Sequence, residues 1–467
     1  MSNSSSPIRN PDTSNPQVMT TRGVWLVVLN IVIPGSAQAL AGNRRLGRIG
    51  LTSTLIGWFF VALLLTINAV WKTALVSIFA LPFFLVLAQI VLVYFAILWI
   101  VLTIDTLRLI RIVKTGPRAR FWLPGIALVL VGLLAGGTFW TSSLAGGVTR
   151  IVSAIGVAGP SVAPVDGRYN FLVLGVDTDP ERVKDGMGAR PDTMQVMSVD
   201  AETGKVLSWG FPRDMHNIPF PAKSPMHTIY PNGYTESSAE YCAEWACLNS
   251  VYVDAELNHA DLYPEAKKQG VSAGIFAMMD AAEGMTGLKM QFYAVVDMTG
   301  LQHMIDALGG VDIVVPERVG IANMGVPDDE VPEWIEAGPQ HLDGWHALMF
   351  ARSRHAATGD YDRMNRQQLL MQALQKQMNP TNVLTKFQEV SKAGGQLLRT
   401  NIPQTMFGTL VDIALKSRTA GYVGTSFTPY SPTFKIYPHD PDFAKIKAYI
   451  QTQLHPPTPT ATPTPTN

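Results

Sequence analysis

Residues 169–176 read YNFLVLGV and stop at Asp177. An unbroken apolar run of this length, closed by a charge, reads as a strand buried on both faces. Residues 192–199 (DTMQVMSV) alternate as a strand does, and lead into DAETG at 200–204, a hairpin-like turn. The chain returns as a strand over 205–210 and ends in FPRDM. Further on, 273–283 and 298–308 read as helices, and 292–296 and 311–315 as strands. A short apolar run at 347–350 leads into a strand carrying Arg352 and Arg354. A long amphipathic helix spans 361–378, and a late strand covers 424–429. Strands interleaved with helices in this order predict an α/β sandwich with a mixed central sheet.

Upstream of this pattern the composition changes. Residues 1–150 hold twelve Lys/Arg and two acids, Asp12 and Asp105, leaving 24 basic and 34 acidic residues for the remainder. A basic apolar front and an acidic polar back predict an α-helical transmembrane domain followed by a soluble one. The negative charge of the soluble part excludes nucleic acid as a partner. Three stretches, 49–70, 76–104 and 121–144, approach or exceed the roughly 20 apolar residues a bilayer requires. A fourth, 23–41, contains Asn30, Pro34-Gly35 and Gln38, and reads either as a span or as a broken, re-entrant segment supported by its neighbours. The five basic residues between Arg108 and Arg120 place that loop in the cytoplasm. Everything after about residue 145 is then extracytoplasmic, on a multi-pass protein of the cell membrane. The organisation expected is an N-terminal segment (1–22), a transmembrane domain (23–145), a linker (146–165), a catalytic domain (166–437), a C-terminal helix (438–454) and a Pro/Thr-rich tail (455–467). Cys242 and Cys247 are the two cysteines. Export permits a disulfide, but five-residue spacing on a regular helix places the pair poorly, so both the bridge and two thiols stay open.

The chemistry concentrates in residues 351–370, ARSRHAATGDYDRMNRQQLL. On a strand Arg352 and Arg354 share a face; on a helix Arg363, Arg366 and Gln367 do. Guanidinium forks converging from two elements suit a phosphate-bearing polyanion. The plain alternative is a salt-bridged surface, with Asp360 and Asp362 as partners and Arg366 the best candidate for it. Carboxylates mark the strand ends: Asp177 in LGVD, Asp192 two residues after Arg190 in RPDT, and Asp214 after Arg213 in FPRD. Ligands of open α/β sheets gather at strand ends. Neighbouring carboxylates call for a cation, and Mg²⁺ suits one or two of them together with substrate phosphates. Each aspartate taken alone could equally be a cap or turn residue. The histidines show no metal spacing, and neither G-x-S-x-G, a Walker A loop nor H-E-x-x-H occurs.

Taken in order, LGVDT, RPDTM, FPRDM, LGGVDIVVPE, GPQHLDGWHALMFARSRH and GDYDRMNRQQ resemble the LytR–CpsA–Psr family, from about residue 169 to 372 and on towards 437. The resemblance implies a membrane-anchored, Mg²⁺-dependent phosphotransferase. Such enzymes move a glycopolymer phosphate from a polyprenyl-pyrophosphate carrier to peptidoglycan or another envelope acceptor. It assigns Asp177 and Asp192 to the metal, and Arg190, Arg213, Arg352, Arg354, Arg363, Arg366 and Gln367 to the pyrophosphate. Asp192, Asp214 and Arg213 become the catalytic residues, with Asp192 the first choice of base. It also implies a membrane-lipid partner, its tail in an apolar tunnel that Met-rich helices could line, although a methionine stripe is more often core. Pro191 stands where the family commonly has Ser or Thr, residues 221–268 depart from its pattern, and the membrane part has more spans than many members. Hydrolysis of a polyprenyl pyrophosphate and non-catalytic lipid binding by an envelope regulator are the competing readings.

Overall fold

A computed structural model describes residues 8–9, 11–70, 82–176, 191–235, 247–377 and 398–456. The Cys242–Cys247 question and the Pro/Thr tail from residue 457 lie outside what it describes. The chain divides into two compact units, Met1–Arg150 and Ile151–Asn467.

The first unit is helical: α1 (Pro16–Val32), α2 (Ser36–Ala41), α3 (Arg44–Val70), α4 (Pro82–Ile110) and α5 (Ala119–Ile155). Three helices are long and apolar enough to cross a membrane, over Arg44–Val70, Val86–Ile110 and Ala119–Phe139. Helix α5 runs on through residues 146–155, which the sequence reads as linker. The weaker segment at 23–41 is broken between α1 and α2. Pro34 has no N–H to continue the helix, and Gly35 turns the chain at φ +96°. Neighbouring hydroxyls bond to carbonyls around the break: Ser36 Oγ donates to Leu29 O at 2.9 Å, which also accepts from the Ile33 N–H, and Thr54 Oγ1 donates to Pro34 O at 3.1 Å. A Cβ on Gly35 would stand 2.5 Å from the Leu51 nitrogen, so the break seats directly on α3.

The second unit is built on a six-stranded mixed sheet. Its strands are β1 (Arg168–Val176), β2 (Pro191–Asp200), β3 (Val206–Phe211), β4 (Phe292–Asp297), β7 (Leu398–Thr400) and β8 (Tyr422–Ser426), in the order β8-β3-β2-β1-β4-β7. A separate ribbon pairs β5 (Val311–Val315) with β6 (Gly338–Leu342). The β1–β2 and β2–β3 pairs are antiparallel, whereas β1–β4 and β3–β8 are parallel. The β2–β3 hairpin closes where the Asp200 carboxylate accepts from the Glu202 and Thr203 amides and Gly204 takes φ +77°.

One sheet face packs Leu172, Leu174, Val196, Trp209 and Phe211 against α6 (Cys247–Leu257), α7 (Ala273–Thr286) and α12 (Phe443–Leu454). Met278 and Met285 of α7 are fully buried in this core, the ordinary role for methionine. A second cluster joins α8 (Met298–Leu308), the β5–β6 ribbon, α9 (Gly344–Arg352) and α10 (Asp360–Gln377) through Ile305, Val311, Phe350 and Leu374. Helix α11 (Phe407–Ala420) packs Ile413 beside Tyr169, Val206 and Tyr422.

The strand expected at Arg352 is instead the end of α9. Asp343 caps that helix by accepting from the His346 N–H at 2.8 Å, and Ala347, Leu348, Phe350 and Ala351 bury one helical face. Spacing of i, i+3, i+4 outweighs the short apolar run that suggests a strand.

Gly284 of α7 lies against the Pro219 carbonyl, where a Cβ would fall 1.8 Å from the oxygen. Gly284→Ala must therefore push two elements apart, at a cost of about 1–3 kcal/mol. Thermal unfolding of the full chain in detergent should show a midpoint several degrees lower; an unchanged midpoint would contradict this packing.

Candidate functional site

A cavity of about 270 Å³ opens at the ends of the strands, lined by Asp192, Thr193, Met298, Asn323, Arg352, Arg354, Arg363 and Gln367. Three guanidinium groups face one carboxylate. Three segments supply the arginines: Arg352 ends α9, Arg354 lies in the loop that follows, and Arg363 sits one turn into α10. Asp192 stands at the start of β2.

Arg213, Arg354 and Arg363 are held by two aspartates. Arg213, two residues beyond β3, reaches Asp192 Oδ1 with an Nη at 2.6 Å. Asp360 meets Arg213 at 3.5 Å, Arg354 at 3.2 Å and Arg363 at 2.9 Å. Arg363 also donates to the backbone oxygen of Asp192 at 2.9 Å, tying α10 to the strand end. Its guanidinium is almost wholly buried, yet its Nε has no hydrogen-bond partner among the described residues. Burial, with Arg213 and Arg354 nearby, lowers its pKa to about 10, which leaves it charged at neutral pH. For Asp192, burial acts to raise the pKa, but Arg213, Arg363 and Arg354 outweigh it and hold the carboxylate below its ordinary range. Asp214 moves the other way: burial, reinforced by the Asp360 charge, raises it. Its Oδ1 is buried without a hydrogen bond among the described residues. Tyr361, also raised by burial and by Asp214 and Asp360, reaches about 12.

Of the residues singled out in the sequence, Asp192, Arg352, Arg354, Arg363 and Gln367 come together around the cavity, and Arg213 joins them through Asp192. Asp214 is outside the lining. Asp177 and Arg190 fall within residues 177–190, outside the described residues; β1 ends at Val176, which pairs with Pro191. Arg366 is placed differently from its neighbours. Its buried guanidinium donates to Phe350 O at 2.9 Å and to Ser353 O, stapling the end of α9 to α10. The carboxylates Asp360 and Asp362 do not hold it in a salt bridge, because Asp360 is engaged by three other arginines. Asp360 is the residue whose role the sequence hides. Its i, i+3 spacing to Arg363 is legible, but its reach to Arg213 and Arg354 is tertiary. Asn323 and Met298 carry no comparable signal.

A mixed α/β domain thus brings a cluster of arginines to the ends of its strands. Residues 153–425 match the family described as LytR_cpsA_psr, and the chain belongs to that family. It is similar to the polyisoprenyl-teichoic acid–peptidoglycan teichoic acid transferase TagU of Oceanobacillus iheyensis, with 26% identity over 62% of this chain and 79% of TagU. It is also similar to the regulatory protein MsrR of Staphylococcus aureus, with 28% identity over 51% of this chain and 58% of MsrR. The chain thus spans little more than half the length of MsrR. Among solved structures, Bacillus subtilis TagV overlays with a TM-score of 0.41 at 19% identity, covering 62% of this chain and 98% of TagV. TagT bound to LI-WTA overlays with a TM-score of 0.40 at 16% identity, covering 63% of this chain and 94% of TagT.

Arg366→Met removes the staple and leaves two buried carbonyls unpaired, a loss of about 1–3 kcal/mol for each. Arg352 is exposed, so Arg352→Ala should change stability by no more than about 0.5 kcal/mol. Denaturant unfolding of the two variants should separate them clearly. Equal midpoints would mean that Arg366 is not a structural tie.

Proposed function

We propose that this chain is a membrane-anchored, Mg²⁺-dependent phosphotransferase. In this reading it moves a glycopolymer phosphate from a polyprenyl-pyrophosphate carrier to peptidoglycan or another cell-envelope acceptor, with its catalytic domain extracytoplasmic. The observation that carries the reading is the buried Nε of Arg363, without a hydrogen-bond partner among the described residues, beside Arg352 and Arg354 in one cavity. A desolvated guanidinium N–H left open is stabilised by an anionic oxygen, and a pyrophosphate offers several. The name of TagU, with a polyisoprenyl-linked donor and a peptidoglycan acceptor, supports the same chemistry.

Arg352, Arg354 and Arg363 would grip the non-bridging oxygens, and Gln367 would orient the group beside them. Because Arg354 and Arg363 are already fixed by Asp360, and Arg363 also by the Asp192 backbone oxygen, they gain strength as charge develops on the leaving phosphate, without having to reorganise. Asp192 fits a cation ligand: its neighbours keep it ionised, it faces the cavity, and Mg²⁺ asks for one or two carboxylates plus substrate phosphates. Among the described residues no group of three or more His, Cys, Asp or Glu is gathered as a metal cluster. Asp177, next after β1, would be the second carboxylate. Such an ion supplies further neutralisation of phosphate charge. A carboxylate held below its ordinary range is a weak base, so Asp192 suits this role better than that of proton acceptor. Asp214, shifted upward, is closer to the basicity that deprotonation of a sugar hydroxyl demands.

Labelled polyprenyl-pyrophosphate glycan, wall fragments and Mg²⁺ provide the test. Wild-type protein should label the wall, while Arg354→Ala and Asp192→Asn should slow labelling by roughly 100-fold or more, as loss of a charge-stabilising donor does. Lipid phosphate released with an unlabelled wall would indicate hydrolysis instead. Donor binding with no turnover would indicate a regulator.

A further inference from the structure

Within the helical unit a second cavity, of about 240 Å³, is lined by Val27, Asn30 and Ile31 of α1, by Trp99, Thr103, Thr106 and Leu107 of α4, and by Ala127, Leu130 and Leu133 of α5. It exceeds the roughly 150 Å³ of an apolar cavity known to admit benzene. Its wall is mostly hydrocarbon, but a polar seam runs through it. Asn30 Nδ2 donates to Thr103 Oγ1 at 3.1 Å, and Gln38 Nε2 donates to Thr106 Oγ1 at 2.9 Å and to Leu102 O at 2.8 Å. Each amide thereby spends its nitrogen and leaves its oxygen over. Asn30 is 5% exposed, and its Oδ1 has no hydrogen-bond partner among the described residues; the same is true of the buried indole Nε1 of Trp99. One unfilled acceptor and one unfilled donor thus stand in the wall of the same apolar cavity. In a low-dielectric interior an unmet donor or acceptor favours an occupant that can meet it.

The surroundings say where an occupant comes from. Leu133, 68% exposed, lies on the outer surface of Ala119–Phe139, a stretch long and apolar enough to cross a membrane, and Ile31 of the shorter α1 is 40% exposed at the same rim. A ligand entering there arrives from hydrocarbon. A hydroxyl is the smallest group that donates to Asn30 Oδ1 while accepting from Trp99 Nε1.

We propose that this cavity is a binding site for a hydroxyl-bearing lipid, whose chain fills the hydrocarbon wall and whose hydroxyl engages Asn30 and Trp99. The site is separate from the arginine cavity of the other unit and rests only on the helical unit lying in a membrane. A long-chain prenol and a diacylglycerol share the required chemistry.

The test uses the full chain in nanodiscs with two photoactivatable probes, a diazirine-bearing farnesol and a diazirine-bearing diacylglycerol. Mass spectrometry of the adducts should place at least one probe on the lining residues of α1, α4 and α5. Leu130→Trp, which fills the cavity, should cut that labelling at least fivefold. Trp99→Phe, which keeps the ring but removes the donor, should weaken it, and Leu65→Trp on the exposed face of α3 should not. The probe that labels tells prenol from diacylglycerol. Labelling undiminished by Leu130→Trp, spread evenly over exposed residues such as Trp58 and Phe59, or absent with both probes, would overturn the site. Because the readout is labelling and not transfer, loss of this site and loss of the phosphotransferase activity are told apart.

Discussion

One carboxylate makes the arginine cavity possible. Three guanidinium groups brought together in a partly buried place repel one another, and burial alone lowers the affinity of each for its proton. Asp360 touches Arg213, Arg354 and Arg363 at once, and those three residues come from the end of a strand, a loop and a helix. The carboxylate therefore fixes tertiary geometry as well as charge. With Asp192 on the far side of Arg213, the site becomes an alternation of cation and anion that is stable before any ligand arrives. Each guanidinium carries five donors, so a phosphate can be received without releasing Asp360.

Much of the sheet was legible because buried strands advertise themselves. The unbroken apolar run before Asp177 and the alternating run after it became β1 and β2, with ends moved by a residue. The helix carrying Arg363 was equally plain. The segment around Arg352 misled, because four apolar residues before two arginines look like a strand when the Asp343 cap is overlooked. The cavity residues Asp192, Arg352, Arg354, Arg363 and Gln367 could be named from residue type and spacing. Asp360 could be seen but not understood, since contacts to Arg213 and Arg354 depend on packing that no local pattern encodes. Arg366 shows the converse: helical spacing puts it with Arg363 and Gln367, yet its side chain turns to backbone carbonyls.

The broken segment of the helical unit follows a related logic. A helix interrupted by Pro34 and Gly35 loses regular backbone pairing, and serine and threonine hydroxyls and a close-packed α3 are gathered around the break. Amides placed nearby, Asn30 and Gln38, anchor α1 and α2 to α4 through their nitrogens.

The strand order has a consequence for how the domain is made. Both edges of the main sheet, β7 and β8, come from beyond residue 397, and β8 pairs in parallel with β3 so that Tyr422 meets Val206 across more than two hundred residues. The β1–β2–β3 meander can form as soon as it is synthesised, but its open edge stays bare until that distant strand arrives. Such pairing is slow to close and leaves apolar backbone edges available to other chains in the meantime. The period of greatest exposure to misassembly thus falls in the long interval between synthesis of the meander and synthesis of its last strand.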